Sequence, residues 1–207
     1  SSTVPSYGEA VTLSSDDGGV LLAVGVPTVC VQGAAAGSSA TRYGASCTTQ
    51  PVAGAQAVSL YRVNGTGVFA IANVHPVDGA MAADSTFGAA LAASGRFVVL
   101  GDANAGQRLG QVSVYAMDAS GTRAEALCAI PGVVPGGGLG YSVAVVAAEE
   151  EGRDAGRNVG TALVVAGAPG ANMASVIRVN YSAFEAGETG ASVCQIVSAL
   201  RQPTVQA

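Results

Sequence analysis

Residues 87–115 read FGAALAASGRFVVLGDANAGQRLGQVSVY, and this stretch decides the fold. A Phe-Gly pair opens it. A small apolar run, residues 89–93, follows, and Ser94-Gly95 turns the chain. Residues 97–100 are apolar throughout and end in Gly101-Asp102-Ala103. A glycine-bearing loop, residues 104–110, then leads into the alternating run Gln111-Val112-Ser113-Val114-Tyr115. Short β-branched runs bounded by Gly, Asn and Asp are strand and hairpin signals. The spacing therefore predicts three strands joined by two tight connections.

The same pattern occurs twice more, as YGEAVTLSSDDGGVLLAVGVP (residues 7–27) and LGYSVAVVAAEEEGRDAGRNVGTALVVAGAP (residues 139–169). The opening glycines are Gly8, Gly88 and Gly140. The glycines closing the second strand are Gly25, Gly101 and Gly167. A third-strand tyrosine follows the closing glycine by 14 residues in the second and third copies (Tyr115, Tyr181) and by 36 in the first (Tyr61). In the third copy residues 175–179 also admit another register. Fourth strands are expected at 68–74, 123–130 and 191–200. Extra residues fall at the connections while strand spacing is kept, as in repeat architectures. One such insertion, residues 28–55, lacks clean periodicity and reads as a long surface excursion. The expectation is one all-β region over 1–207, with units at 7–80, 87–131 and 139–200, each of four antiparallel strands.

Composition agrees. Hydrophobic residues make up 49% and charged residues 11%, with 29 Gly and no Trp, which argues against disorder and for short strands with many turns. A net charge of −5 lacks the basic face that nucleic acid requires. No apolar run reaches the ~20 residues of a membrane helix, so no membrane insertion is expected of this segment. The chain starts at Ser1 without a signal peptide, as a mature or excised form would.

Four cysteines stand at 30, 47, 128 and 194. None forms a C-x-x-C pair, and His75 is the single histidine, which excludes the usual zinc patterns. An even count suits disulfides in an oxidising compartment. A Cys30–Cys47 bridge would close the insertion, a constraint worth about 3 kcal/mol in the chain-entropy model. Cys128 and Cys194 occupy equivalent fourth strands. They either bridge or are separately buried as small hydrophobes. Two N-x-[ST] sequons occur, at Asn64 and Asn180, and all nine basic residues are Arg. Together these features predict an extracellular or cell-surface glycoprotein.

The three copies resemble FG-GAP repeats, the blades of integrin-α-like β-propellers. The aromatic-Gly element is Tyr7-Gly8, Phe87-Gly88 and Leu139-Gly140. The Gly-Ala-Pro element is Gly25-Val26-Pro27, Gly101-Asp102-Ala103 and Gly167-Ala168-Pro169. The resemblance covers nearly the whole chain and implies β-propeller-like blades. Propellers close with four to eight blades. Three leave two flanks open, so the chain is expected to be part of a larger propeller or to be completed by other chains or missing blades. The family often holds calcium in its first hairpins through alternating carboxylates. The corresponding candidates here, Asp16, Asp17, Glu149, Glu151 and Asp154, lack that alternation. Solvated charged turns are the plainer reading.

Catalytic machinery is hard to assemble. No G-x-S-x-G elbow is present. The acidic residues Glu149, Glu150, Glu151 and Asp154 share one loop rather than facing each other across a cleft. Gly136-Gly137-Gly138 lacks the Lys and helix of a phosphate loop and reads as a flexible linker. The expectation is a non-enzymatic interaction or adhesion module without a cofactor. It would offer the loops 28–55 and 149–158, at opposite ends of the blades, to a protein or glycan partner. The alternatives are the accessory propeller of a surface enzyme and a structural subunit of a surface assembly.

Overall fold

The computed structural model describes residues 3–5, 10–16, 19–26, 29–31, 57–77, 85–118, 120–148 and 160–201. These form three antiparallel four-stranded sheets and a two-stranded ribbon. The ribbon pairs β1 (Thr3–Pro5) with β4 (Val29–Val31). The first sheet runs β2 (Val11–Asp16), β3 (Gly19–Val26), β5 (Ala57–Asn64), β6 (Gly67–Val74). The second runs β7 (Ala90–Ser94), β8 (Phe97–Asp102), β9 (Gln111–Met117), β10 (Ala124–Pro131). The third runs β11 (Ser142–Ala148), β12 (Thr161–Ala168), β13 (Met173–Asn180), β14 (Cys194–Arg201). Within each four-stranded sheet the strands neighbour one another in chain order, with β4 alone passed over, between β3 and β5.

The second sheet lies between the other two. Its strand β8 is buried along its whole length, which explains why residues 97–100 are apolar without alternation. Phe97 and Val99 join Val112 and Val114 in a core shared with Val164 and Ile177 of the third sheet. Val98 and Leu100 point the other way, into a core shared with Leu21, Val58 and Leu60 of the first sheet. The first strands gather together: β7 lies against both β2 and β11. Their ends are tied by two hydrogen bonds. The Ser14 hydroxyl donates to the Gly95 carbonyl (3.1 Å), and the Ala147 N–H donates to the Ser94 hydroxyl (2.9 Å).

The closing glycines make this approach possible. The carbonyl of Gly88 occupies the place a Cβ on Gly25 would take, and the carbonyl of Gly140 does the same at Gly101. Backbone meets backbone at both junctions, so only glycine fits. Farther out the sheets are stapled by a disulfide from Cys128 in β10 to Cys194 in β14, with Cα atoms 6.3 Å apart. Of the two readings left open for this pair, the bridge is the one the structure holds. Cys47 and the Cys30 side chain lie outside the described residues; the Cys30 backbone pairs with Val4.

Two sequence expectations need correction. The third-copy counterpart of Tyr61 and Tyr115 is Ile177, not Tyr181. Leu22 pairs with Tyr61, Val98 with Tyr115 and Val164 with Ile177, each three residues before the closing glycine. The connection between second and third strands spans residues 103–110 in the second sheet but only 169–172 in the third, which moves the register by four. Tyr181 instead opens a short helix, α2 (Tyr181–Glu185), the earlier helical turn α1 (Ala105–Arg108) lying within the 103–110 connection. The linker glycines 136–138 are also held rather than slack. Gly138 N–H donates to the Arg108 carbonyl and Gly170 N–H to the Gly137 carbonyl, at 3.0 and 3.1 Å.

Candidate functional site

Each sheet presents two ends. One carries the turns between first and second strands and between third and fourth. The other carries the connections from second to third strands. At the first end the hairpin of β5 and β6 turns through Gly65 and Thr66, between the paired Asn64 and Gly67. Asn64 is exposed, and its Oδ1 accepts from the Thr66 N–H (2.9 Å) and the Thr66 hydroxyl (2.6 Å). The sequon thus closes on itself as an Asx-turn at an open hairpin tip. Asn180 is placed differently. It caps α2, its Oδ1 accepting from the Ala183 N–H at 3.2 Å, and the next residue, Tyr181, is buried.

The turn after β9 is organised by Asp118. Its Oδ1 accepts from the Thr122 and Arg123 N–H groups (2.9 and 3.1 Å), and its Oδ2 accepts from the Ser120 hydroxyl (2.7 Å). Partial desolvation would raise its pKa. The Ser120 hydroxyl, the two N–H groups and the Arg123 charge outweigh that and hold the carboxyl below the ordinary range. Arg62 of the first sheet reaches across and donates from Nη2 to the Gly121 carbonyl at 3.3 Å. Beside this turn, Arg96 lies 4.7 Å from the centre of the Tyr181 ring, which packs edge-on against Phe97. Burial pushes the Tyr181 phenol up; Arg96 opposes, while Glu185 and Glu125 add to the rise.

The opposite end holds a residue that the sequence reading did not single out as functional. Asp102 is buried and gathers the approach to the second sheet. It accepts from the Ser85 hydroxyl (2.5 Å), the Thr86 N–H (2.8 Å), the Thr86 hydroxyl (3.0 Å) and the Asn104 N–H (3.2 Å). Its carboxylate serves as a local staple that fixes the segment before Phe87. The available signal was its departure from Gly-Ala-Pro, with Asp where Ala stands in the third copy. The next connection, residues 105–108, contains a turn of left-handed backbone at Gly106, Gln107 and Arg108, with φ of 57, 62 and 65°. The two side chains there are exposed.

Of the remaining candidates, the Asp16 side chain, Asp17, Glu149, Glu151 and Asp154 lie outside the described residues, as do most of 28–55 and all of 149–158. The strands flanking these two segments end on opposite sides: β3 at the second-to-third end and β11 at the hairpin end. Among the described residues no group of three or more His, Cys, Asp and Glu could hold a metal ion. His75 offers its backbone carbonyl to the Tyr115 hydroxyl. No helix among the described residues is long and apolar enough to cross a membrane. In comparisons with known proteins, no family model matches the chain, and neither does any curated protein.

Proposed function

We propose that the three sheets are blades of an FG-GAP-type β-propeller and that the chain is a non-enzymatic interaction module of the cell surface or extracellular space. The observation that carries this reading is the gathering of β2, β7 and β11 by glycine junctions and serine hydrogen bonds, which holds the turns at one end of the blades in a common array. Function sits on loops that a rigid scaffold positions. On this end the hairpin at Asn64, the Asp118 turn and the segment following α2 stand together with the two strand ends that flank residues 149–159. The contact surface therefore carries Asp118 and Glu188 beside Arg62 and Arg123, with the hydroxyls of Thr66, Ser120 and Thr122, a polar surface of mixed charge suited to a protein or a glycan. Calcium plays no part in this reading.

The inter-blade disulfide supports an oxidising compartment, and the open Asx-turn at Asn64 supports a glycan there. The test is a screen of the folded, disulfide-bonded chain against arrays of glycans and cell-surface ectodomains. It is paired with a variant in which residues 149–159 are replaced by Asn-Gly. Binding that is lost in the variant while the melting temperature is unchanged supports the reading. Absence of binding by the folded chain on both arrays, or binding indifferent to the replacement, sinks it.

A further inference from the structure

The chain holds two N-x-[ST] triplets, and the fold places them in opposite circumstances. All three residues of the first, Asn64-Gly65-Thr66, are exposed. They form the tip of the β5–β6 hairpin, where Asn64 pairs with Gly67. Nothing lies within 4 Å of a Cβ on Gly65, so the tip stands clear of the rest of the molecule. The Thr66 N–H and hydroxyl draw the Asn64 Oδ1 back onto the chain (2.9 and 2.6 Å). That leaves Nδ2, the atom to which a sugar is joined, on the other branch of an exposed amide.

The second triplet, Asn180-Tyr181-Ser182, is tied at every residue. The Asn180 N–H donates to the Val193 carbonyl (2.7 Å), and its Oδ1 accepts from the Ala183 N–H (3.2 Å) to cap α2. Tyr181 is 3% exposed, and its N–H donates to the Gly160 carbonyl (3.4 Å). Its ring packs against Phe97 and Phe184, with centroids 6.2 and 6.0 Å away. The Ser182 carbonyl accepts from the Ala186 N–H at 3.0 Å. An enzyme that modifies an asparagine has to surround the amide and the hydroxyl two residues on. Here that means unwinding α2 and lifting Tyr181 out of the core shared by the second and third sheets.

We infer that Asn64 is an N-glycan acceptor of the folded chain and that Asn180, held in its helix cap, is not. The donor is a lipid-linked oligosaccharyl pyrophosphate. Asn64 Nδ2 forms a bond to C1 of the first sugar, the bond from C1 to the pyrophosphate oxygen breaks, and the lipid pyrophosphate leaves. One Nδ2 proton passes to a base of the transferase. The sugar then stands at the same end of the sheets as the Asp118 turn, which Arg62 touches through the Gly121 carbonyl. Meeting that donor rests on the extracellular reading proposed above. The difference between the two triplets is a property of the fold alone.

The test is glycan transfer in vitro to the folded, disulfide-bonded 207-residue chain, by a purified oligosaccharyltransferase with a lipid-linked oligosaccharide as donor. Peptides spanning 58–70 and 175–187 serve as unfolded references, and mass spectrometry after proteolysis reads each site. The folded chain should take one glycan, at Asn64, at a rate close to that of its peptide. Asn180 should react at least about 30-fold more slowly than in its peptide, because the Tyr181 ring has to leave the core first. Asn64→Gln should abolish uptake while the chain stays folded. Transfer to Asn180 of the folded chain at the rate of its peptide overturns the inference, and so does a folded chain that takes no glycan at Asn64. A 175–187 peptide that is itself refused overturns the part assigned to the fold. A chain isolated from its source that bears no sugar, yet accepts one at Asn64 in vitro, supports the site and counts against the extracellular reading instead.

Discussion

The carbonyl oxygen of Gly140 occupies the place that a side chain on Gly101 would need. The opening glycine of one sheet is thereby seated on the closing glycine of the sheet before it. Gly25 and Gly88 repeat the contact one sheet earlier. Any Cβ at the closing position drives two backbones apart, and the cores on either side open with them.

Gly101→Ala should therefore destabilise the chain by about 3 kcal/mol, at the upper end of overpacking costs, or prevent folding. Gly65→Ala is the control. Nothing lies within 4 Å of a Cβ there, and the change should be worth less than about 0.5 kcal/mol. Urea unfolding of the two variants checks the difference; equal midpoints would mean the junction relaxes freely.

The Cys128–Cys194 disulfide joins the fourth strands of the second and third sheets beside the buried Leu127, Ile130 and Val193. It closes a loop with a sequence separation of 66. Replacing both cysteines by Ala should cost about 4 kcal/mol in the chain-entropy model. Reductant should lower the unfolding midpoint of the wild-type chain and leave the part contributed by this bridge unchanged in the double variant.

Asp102→Ala removes the acceptor for two hydroxyls and two N–H groups around a buried site. Stranded donors cost more than the bonds were worth, so a loss of about 3 kcal/mol is expected. The damage should be local. Amide exchange should accelerate at Thr86 and Asn104 before it changes in β12 and β13, and a uniform change across all three sheets would contradict the local role.

Two titrations act at opposite ends of the pH scale. Asp118 has a folded pKa below its unfolded value, so its contribution is present above the ordinary carboxylate range and is lost as pH falls through the folded pKa. Tyr181 has a folded pKa above its unfolded value of about 10. The folded state holds the proton more tightly, and stability declines as pH rises past that value. Carboxyl and ring NMR titrations should place Asp118 low and Tyr181 high. Ser120→Ala should move Asp118 upward, and Arg96→Ala should move Tyr181 further up.

The all-β character, the three copies, the glycines that bracket them and the whole-strand apolarity of residues 97–100 are legible in the chain because they follow from short-range rules: alternation, β-branching and turn chemistry. The register of the third copy is not. It turns on a connection that is four residues shorter, which only strand pairing reveals, and Tyr181 at a matching interval was a coincidence of spacing. Nor does the chain show that Asp102 staples Ser85 and Thr86, or that Arg96 covers Tyr181, since each joins residues brought together by folding. Cys128 and Cys194 had the right strands but needed the packing of two sheets to bring their Cα atoms within bridging distance. Local pattern decided what each segment is; tertiary structure decided which face each segment buries, because burial depends on partners distant in sequence.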